Sequence, residues 1–136
     1  PIFSQRCGVK LSGDRLEKKH QQWQKIAISA AEQSGRNFVP IVHTPVDLKL
    51  WLEQQTDAIK LTLHPRAEHS IKTITVPSAG VRFLVGPEGG FTDEEMLQTK
   101  DQHFVDIRLG PRVLRTETAA LTVLSALQLQ FGDLAN

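Results

Sequence analysis

The chain has few of the features that mark membrane, secreted or metal-binding proteins. It contains one cysteine, Cys7, so no disulfide can form within it, which fits a reducing cytoplasm. Residues 1–12 lack the apolar stretch of a signal peptide, and no apolar run approaches the ~20 residues that a membrane helix needs. His64 and His69 are not spaced as a helical ligand pair, which argues against a metal site. We therefore expect a cytoplasmic protein with no metal and no membrane association.

Several common nucleotide-binding and hydrolase motifs are also missing. Neither the dinucleotide fingerprint Gly-x-Gly-x-x-Gly nor the Gly-Lys-Ser/Thr of a phosphate loop occurs in the sequence. No nucleophile elbow supports a Ser-His-Asp hydrolase. These absences disfavour another nucleotide-dependent α/β enzyme, although they do not remove that alternative.

The composition is that of a soluble domain with an uneven charge distribution. The 136 residues are 40% hydrophobic and 23% charged, which is enough for one domain with a real core. The net charge is +1, yet residues 1–25 carry six basic and two acidic side chains. Such a basic edge can meet phosphate, and a solvated helix face is the alternative that charge alone favours.

Strand and helix patterns alternate along the whole chain. Strand patterns cover residues 1–4, 38–42, 58–63, 81–85 and 103–108. Helical patterns cover residues 15–34, a segment that begins with a cap at 44–47, residues 92–100 and residues 117–131. No repeat or linker marks a second domain. Residues 1–136 therefore predict a single α/β domain in which helices flank a mainly parallel sheet.

The last predicted helix has almost no polar face. Nine apolar residues between Ala119 and Phe131 leave little for solvent, so we expect this helix to be buried on all sides. In a domain of this size one side can lie on the sheet, and the other needs a partner. The most economical partner is a second copy of the chain, which predicts a homodimer through the C-terminal helix region.

A glycine-rich turn, residues 86–90, joins an apolar strand directly to a helix start. Thr92 and Glu95 have the spacing of a capping box, so a helix N-terminus follows the turn. In parallel sheets ligands bind where strands end and helix N-termini point. The alternative is a tight structural turn in which Glu88 serves the helix N-terminus, and this motif alone does not decide between the two.

A second loop, residues 109–119, repeats this arrangement after the next strand. Arg112 and Arg115 precede a helix, where they can hold phosphate or stabilise a developing anion. Alternatively, the two arginines form a structural ion-pair network with Glu117, and Thr116 or Thr118 merely caps the helix.

These motifs together resemble the RsmE-like family of ribosomal RNA methyltransferases, within the SPOUT class. The resemblance rests on Gly86–Phe91, Leu109–Ala119, Glu32–Arg36, Arg6-Cys7 and Leu63–Arg66, and it covers essentially the whole chain. It implies an S-adenosylmethionine-dependent enzyme that methylates N3 of a uridine in small-subunit (16S) ribosomal RNA. It also implies a homodimer and a C-terminal trefoil knot.

The family pattern carries further expectations and leaves two rival functions open. Its proteins usually have an N-terminal RNA-binding barrel and one more strand and helix before the position of Pro1, so we expect this chain to be a catalytic-domain portion. A non-catalytic RNA-binding dimer with the same fold is the main alternative. A purely structural dimerisation domain is another, for which two such loops would be needless.

The resemblance also implies which residues form the site. The expected cofactor-binding residues are Leu63, His64, Gly86, Pro87, Glu88, Gly89, Gly90, Leu109, Gly110, Leu114, Thr116, Thr118 and Ala119. The expected catalytic residues are Arg112, Arg115 and Glu117, and the expected RNA-side residues are Arg6, Glu32 and Arg36. Either arginine can favour the uridinate, and Glu117 or Glu88 can orient an arginine or accept the proton. An ion pair at the end of the first helix is the alternative role of the RNA-side residues.

Overall fold

The computed structural model describes residues 1–8 and 10–135, and this part of the chain contains six strands and four α-helices. The strands are β1 (Ile2–Phe3), β2 (Val46–Asp47), β3 (Ile59–Leu63), β4 (His69–Ser70), β5 (Val81–Leu84) and β6 (Val105–Arg108). The helices are α1 (Gly13–Ser34), α2 (Leu48–Leu52), α3 (Asp93–Asp101) and α4 (Thr116–Phe131). Short 3₁₀ turns cover Ile71–Thr73 and Asp133–Ala135. The predicted α/β class is confirmed.

Every strand pair in this part of the chain is parallel. β1 pairs with β2 in a small sheet of its own, and the other four strands form a sheet in the order β4-β6-β3-β5. β6 lies between β3 and β4, although both precede it in the sequence. Because parallel strands all end at one edge, the segments that follow β3, β5 and β6 emerge side by side.

The main hydrophobic cluster lies between α2 and the strands. Leu48 and Leu52 pack with Leu84 of β5 and with Phe104, and Leu52 is only 1% exposed. Trp51 lies against this cluster, with its ring centroid 5.8 Å from that of Phe104. The cluster therefore fixes α2 against the sheet although α2 has only five residues.

Arg82 joins β5 to α2 from within an otherwise apolar strand. Its guanidinium donates to the carbonyl oxygens of Trp51 and Gln54, each at 2.9 Å, and lies 4.0 Å from the Trp51 ring centroid. Burial lowers the pKa of Arg82, but an arginine pKa starts so high that the side chain stays charged at neutral pH. The strand that the apolar pattern predicted here is confirmed, with Arg82 as its polar anchor.

The capping box at the start of α3 is confirmed. The Glu95 N–H donates to Thr92 Oγ1 at 3.2 Å, and the Thr92 N–H donates to Glu95 Oε2 at 2.9 Å. The Gln5 N–H donates to Glu95 Oε1 at 2.7 Å. Glu95 is 3% exposed, and these bonds compensate the burial of its carboxylate.

Helix α1 and its C-terminal glycine agree with the sequence, whereas the strand expected at 38–42 is wrong. Gly35 has φ = 70°, the left-handed conformation of a helix end. The Gln24 amide of α1 donates to Pro40 O at 3.0 Å and accepts from the Val42 N–H at 2.8 Å. The Gln24 side chain thus satisfies backbone groups that would be paired with a neighbouring strand in a sheet. No strand is assigned to 38–42 in the described chain.

The helix expected to begin at 44–47 starts later. Val46 and Asp47 form β2, with Val46 paired to Ile2 of β1, and Asp47 then caps α2 through its bond from the Lys49 N–H at 3.0 Å. The local sequence pattern predicted Pro45 as the first residue of this helix. The pairing with β1, more than 40 residues away in the chain, overrides that preference.

Helix α4 has the expected extent but not the expected cap. Its N-cap is Arg115 with no side-chain cap bond, so the capping roles of Thr116 and Thr118 were wrong. Val123 is fully buried, whereas Leu121 is 68% and Leu124 is 54% exposed, so one side of α4 is buried within the single chain and the side expected to need a partner is exposed. No helix in the described residues is long and apolar enough to cross a membrane.

Candidate active site

The segments that follow β3, β5 and β6 surround one cavity of about 750 Å³. Leu63 and His64 end β3, residues 85–91 follow β5, and residues 109–117 lead from β6 into α4, and all three contribute to its wall. The volume lies in the range typical of small-molecule sites. The two glycine- and arginine-bearing loops of the sequence therefore meet in space, as their strand-loop-helix layout predicted.

His64 forms the wall at the end of β3. The backbone N–H of His64 donates to Ile107 O of β6 at 3.1 Å, and the ring Nδ1 of His64 accepts from the backbone N–H of Arg66 at 3.2 Å. A ring nitrogen that accepts a hydrogen bond carries no proton, so the neutral ring holds its proton on Nε2. The half-buried imidazole is thus fixed by neighbouring backbone, and Nε2–H remains as a donor.

The glycine-rich turn needs its glycines for different reasons. The Gly90 N–H donates to Pro87 O at 2.8 Å, and Gly90 has φ = 69°, which side chains rarely adopt. A Cβ on Gly86 would lie 3.1 Å from the Phe91 ring. A side chain is therefore disfavoured at Gly90 by the backbone conformation and at Gly86 by contact with the Phe91 ring.

Gly89 faces away from the cavity and toward Arg6. A Cβ on Gly89 would lie 3.2 Å from Arg6 Cβ, and Arg6 Nη1 donates to Gly89 O at 3.0 Å and to Phe91 O at 3.4 Å. Gly89 is not part of the cavity wall. The residues that meet here are 83 positions apart, and no local pattern signals such a contact.

The third segment brings cationic side chains to the cavity mouth. Arg112 and Arg115 are exposed and line the cavity together with Glu117. Within the described residues no hydrogen bond or ion pair joins either guanidinium to Glu117, so the structural ion-pair network is not formed. The N-terminus of α4 opens on the same cavity and adds the positive end of its dipole.

The cavity wall carries charge of both signs. Glu88, Asp93 and Glu117 supply carboxylates beside the guanidinium groups of Arg112 and Arg115. Their exposure keeps them hydrated, so their mutual interactions are weakened by solvent. A ligand with both a cationic and an anionic end can therefore find partners in this one site.

Most of the expected site residues lie in this wall. The three expected catalytic residues line it, as do all the expected cofactor-binding residues except Gly89 and Thr118. Arg6, Glu32 and Arg36 do not line it, and no side-chain ion pair joins them in the described chain. Among the described residues, the wall residues that the sequence did not predict are Pro65, Val85, Phe91, Asp93, Met96, Ile107 and Val113. Their binding roles stay predictions.

Three of these missed residues lie within the recognised motifs, namely Pro65, Phe91 and Val113. Val85 and Asp93 lie one and two residues outside Gly86–Phe91, so a slightly longer motif would have included them. Met96 is different, because it lies one turn inside α3. Ile107 also had no motif signal, because it belongs to the buried part of β6.

A family model describing an RNA methyltransferase domain matches residues 1–128. Among curated relatives, the ribosomal RNA small subunit methyltransferase E of Buchnera aphidicola is 36% identical over 98% of this chain and 53% of its own length. The protein of the same name from Bacillus subtilis is 38% identical over 96% of this chain and 54% of its own length.

Two solved structures share the fold closely. A ribosomal RNA small subunit methyltransferase E from Neisseria gonorrhoeae, bound to S-adenosyl methionine, has 41% identity and a TM-score of 0.92 over 98% of this chain and 56% of that one. A methyltransferase from Legionella pneumophila with bound cofactor SAM has 44% identity and a TM-score of 0.92 over 98% of this chain and 55% of that one. The chain thus spans about half the length of the relatives it matches. By the match to residues 1–128, it belongs to the RNA methyltransferase domain family and is RsmE-like within it.

Proposed function

We propose that this chain is the cofactor-binding and catalytic portion of an S-adenosylmethionine-dependent methyltransferase that acts on N3 of a uridine in small-subunit (16S) ribosomal RNA. The observation that carries the proposal is the convergence of the segments after β3, β5 and β6 on one cavity. Similar proteins with the same fold are described as bound to this cofactor, and the names of the curated relatives specify small-subunit ribosomal RNA.

The residues present fit this cofactor. Leu109 and Leu114 offer apolar side chains for an adenine, and Gly110 has φ = 70° with open space where a Cβ would be, so its backbone can approach a ligand. The carboxylates and guanidinium groups of the wall suit the ammonium and carboxylate of the methionine part. When bound, the cofactor supplies a methyl group on a positively charged sulfur.

The chain must then make uridine N3 nucleophilic, because that nitrogen carries a proton in neutral uridine. Arg112 or Arg115 favours the uridinate by placing positive charge near its oxygens. Glu117 or Glu88 accepts the N3 proton. The N3–carbon bond forms as the sulfur–carbon bond breaks, and the proton leaves to the carboxylate or to solvent.

The test measures binding and transfer separately. Calorimetry with S-adenosylmethionine should give a saturable one-site isotherm, and incubation with the labelled cofactor and small-subunit RNA should label the RNA. Nucleoside mass spectrometry should identify 3-methyluridine rather than 5-methyluridine. RNA binding without cofactor binding or transfer would instead support the non-catalytic RNA-binding dimer.

We also propose a homodimer through α4, a knotted topology and a cytoplasmic location. The exposed leucines of α4, including Leu121 and Leu124, support the dimer because a second copy would remove them from water. The place of β6 between two earlier strands supports the knot. The ribosomal substrate supports the location.

A further inference from the structure

The residues that follow β1 are bonded to the outside of the glycine-rich turn. Arg6 Nη1 donates to the carbonyl oxygens of Gly89 and Phe91, at 3.0 and 3.4 Å. We propose that Arg6 is a positioning residue, which holds the turn in the conformation that receives the cofactor. This inference rests on the proposed function, since it concerns the same cavity.

Arg6 does not act on an isolated turn, because its neighbour fixes the helix that follows. The Gln5 N–H donates to Glu95 Oε1 at 2.7 Å, while Glu95 Oε2 closes the capping box of α3. Two consecutive residues thus restrain the turn and the start of α3 from the side opposite the cavity. Neither Gln5 nor Arg6 belongs to the cavity wall.

A turn of this composition needs such a restraint. Gly89 and Gly90 are adjacent, and glycine has access to more backbone conformations than any other residue. While the carbonyls of Gly89 and Phe91 accept from Arg6, those peptide groups cannot rotate toward the cavity. Gly90 and Phe91 then keep their places in the wall, so the cofactor meets a site that is already ordered.

The close approach of the Arg6 side chain also explains the glycine at position 89. A Cβ there would lie 3.2 Å from Arg6 Cβ and 3.5 Å from Arg6 Cδ. The aliphatic part of Arg6 therefore lies directly on the turn, and its guanidinium reaches the carbonyls beyond. This places Arg6 on the cofactor loop, whereas the sequence suggested a role on the RNA side.

The test compares cofactor affinity across three variants. Arg6 is exposed, so water replaces part of the lost bonding, and Arg6→Ala should weaken S-adenosylmethionine binding about three- to tenfold. Arg6→Lys keeps the charge and one donor group and should recover part of that loss. Arg15→Ala removes an exposed arginine of α1 with no bond in the described residues, and it should leave cofactor affinity unchanged.

Steady-state kinetics separate positioning from a general loss of structure. Arg6→Ala should raise the KM for the cofactor while leaving kcat at saturating cofactor close to that of the original protein. Unchanged cofactor affinity in both Arg6 variants, or a rise in the KM for RNA alone, would overturn the proposal. If Arg6→Ala does not fold, Arg6→Lys decides by the same affinity measurement. Absence of cofactor binding by the unsubstituted protein would instead contradict the proposed function.

Discussion

Gly86→Ala tests whether the Phe91 ring packs so tightly between the hydrophobic core and the cavity that a methyl group at position 86 must displace it. Gly86 is not among the glycines with positive φ, so alanine meets no backbone strain there. Its Cβ would instead lie 3.1, 3.3 and 3.4 Å from three atoms of the Phe91 ring. Phe91 packs against the cluster of Leu48, Leu52, Leu84 and Phe104 on one side and lines the cavity on the other.

Two opposing contributions set the change in the free energy of unfolding that Gly86→Ala should cause. Overpacking costs about 1–3 kcal/mol, with the lower part of that range fitting a half-buried ring that can move by a few tenths of an ångström. Replacing glycine restricts the unfolded chain and returns about 0.4–1 kcal/mol. The free energy of unfolding should therefore fall by up to about 1.6 kcal/mol. Because the ring also lines the cavity, its displacement should lower cofactor affinity as well.

Urea unfolding of four proteins isolates this contact. The original protein, Gly86→Ala, Phe91→Leu and the double variant form a cycle in which leucine removes the ring edge that the new methyl group meets. In the Phe91→Leu background, Gly86→Ala should be neutral or slightly stabilising, which gives a coupling of about 1–2 kcal/mol. An equal cost of Gly86→Ala in both backgrounds would refute the tight-packing explanation.

Three further substitutions probe the core, the chemistry and the assembly. Leu52→Ala should lower the free energy of unfolding by about 2–5 kcal/mol, because Leu52 is 1% exposed in the main cluster, and urea denaturation measures this. Arg115→Ala should slow methyl transfer about 100-fold or more while cofactor affinity stays within a few-fold, and an unchanged single-turnover rate would exclude Arg115 from the mechanism. Leu121→Glu should shift the protein from dimer to monomer in sedimentation experiments, and persistence of the dimer would place its interface elsewhere.

Features that depend on short stretches of sequence were the most predictable. The capping box of Thr92 and Glu95 joins residues three apart, so its pattern is complete in the sequence and appears unchanged in the structure. The extent of α4 and the left-handed Gly35 have the same local origin. The candidate cavity followed from one rule, that parallel strands end at a common edge, applied to two successive loops.

Features set by distant partners could not be predicted in this way. Residues 38–42 have an apolar strand pattern, but the Gln24 side chain binds their backbone. Val46 looked like the start of a helix, and its pairing with Ile2 makes it a strand. Arg6 gave no local sign that it bonds to Gly89. In each case the deciding hydrogen bond comes from another part of the chain.

The strand order also bears on synthesis of the chain by the ribosome. Of the four-stranded sheet, β3 and β4 emerge first, but they do not pair with each other, and β6 must be synthesised before it can pair with both. Residues 109–117, which complete the cavity, emerge later still. Parallel pairing between distant segments is slow, so the cavity wall stays incomplete until residues 109–117 have been synthesised. Premature termination before residue 109 would therefore leave the cavity without one of its three wall segments.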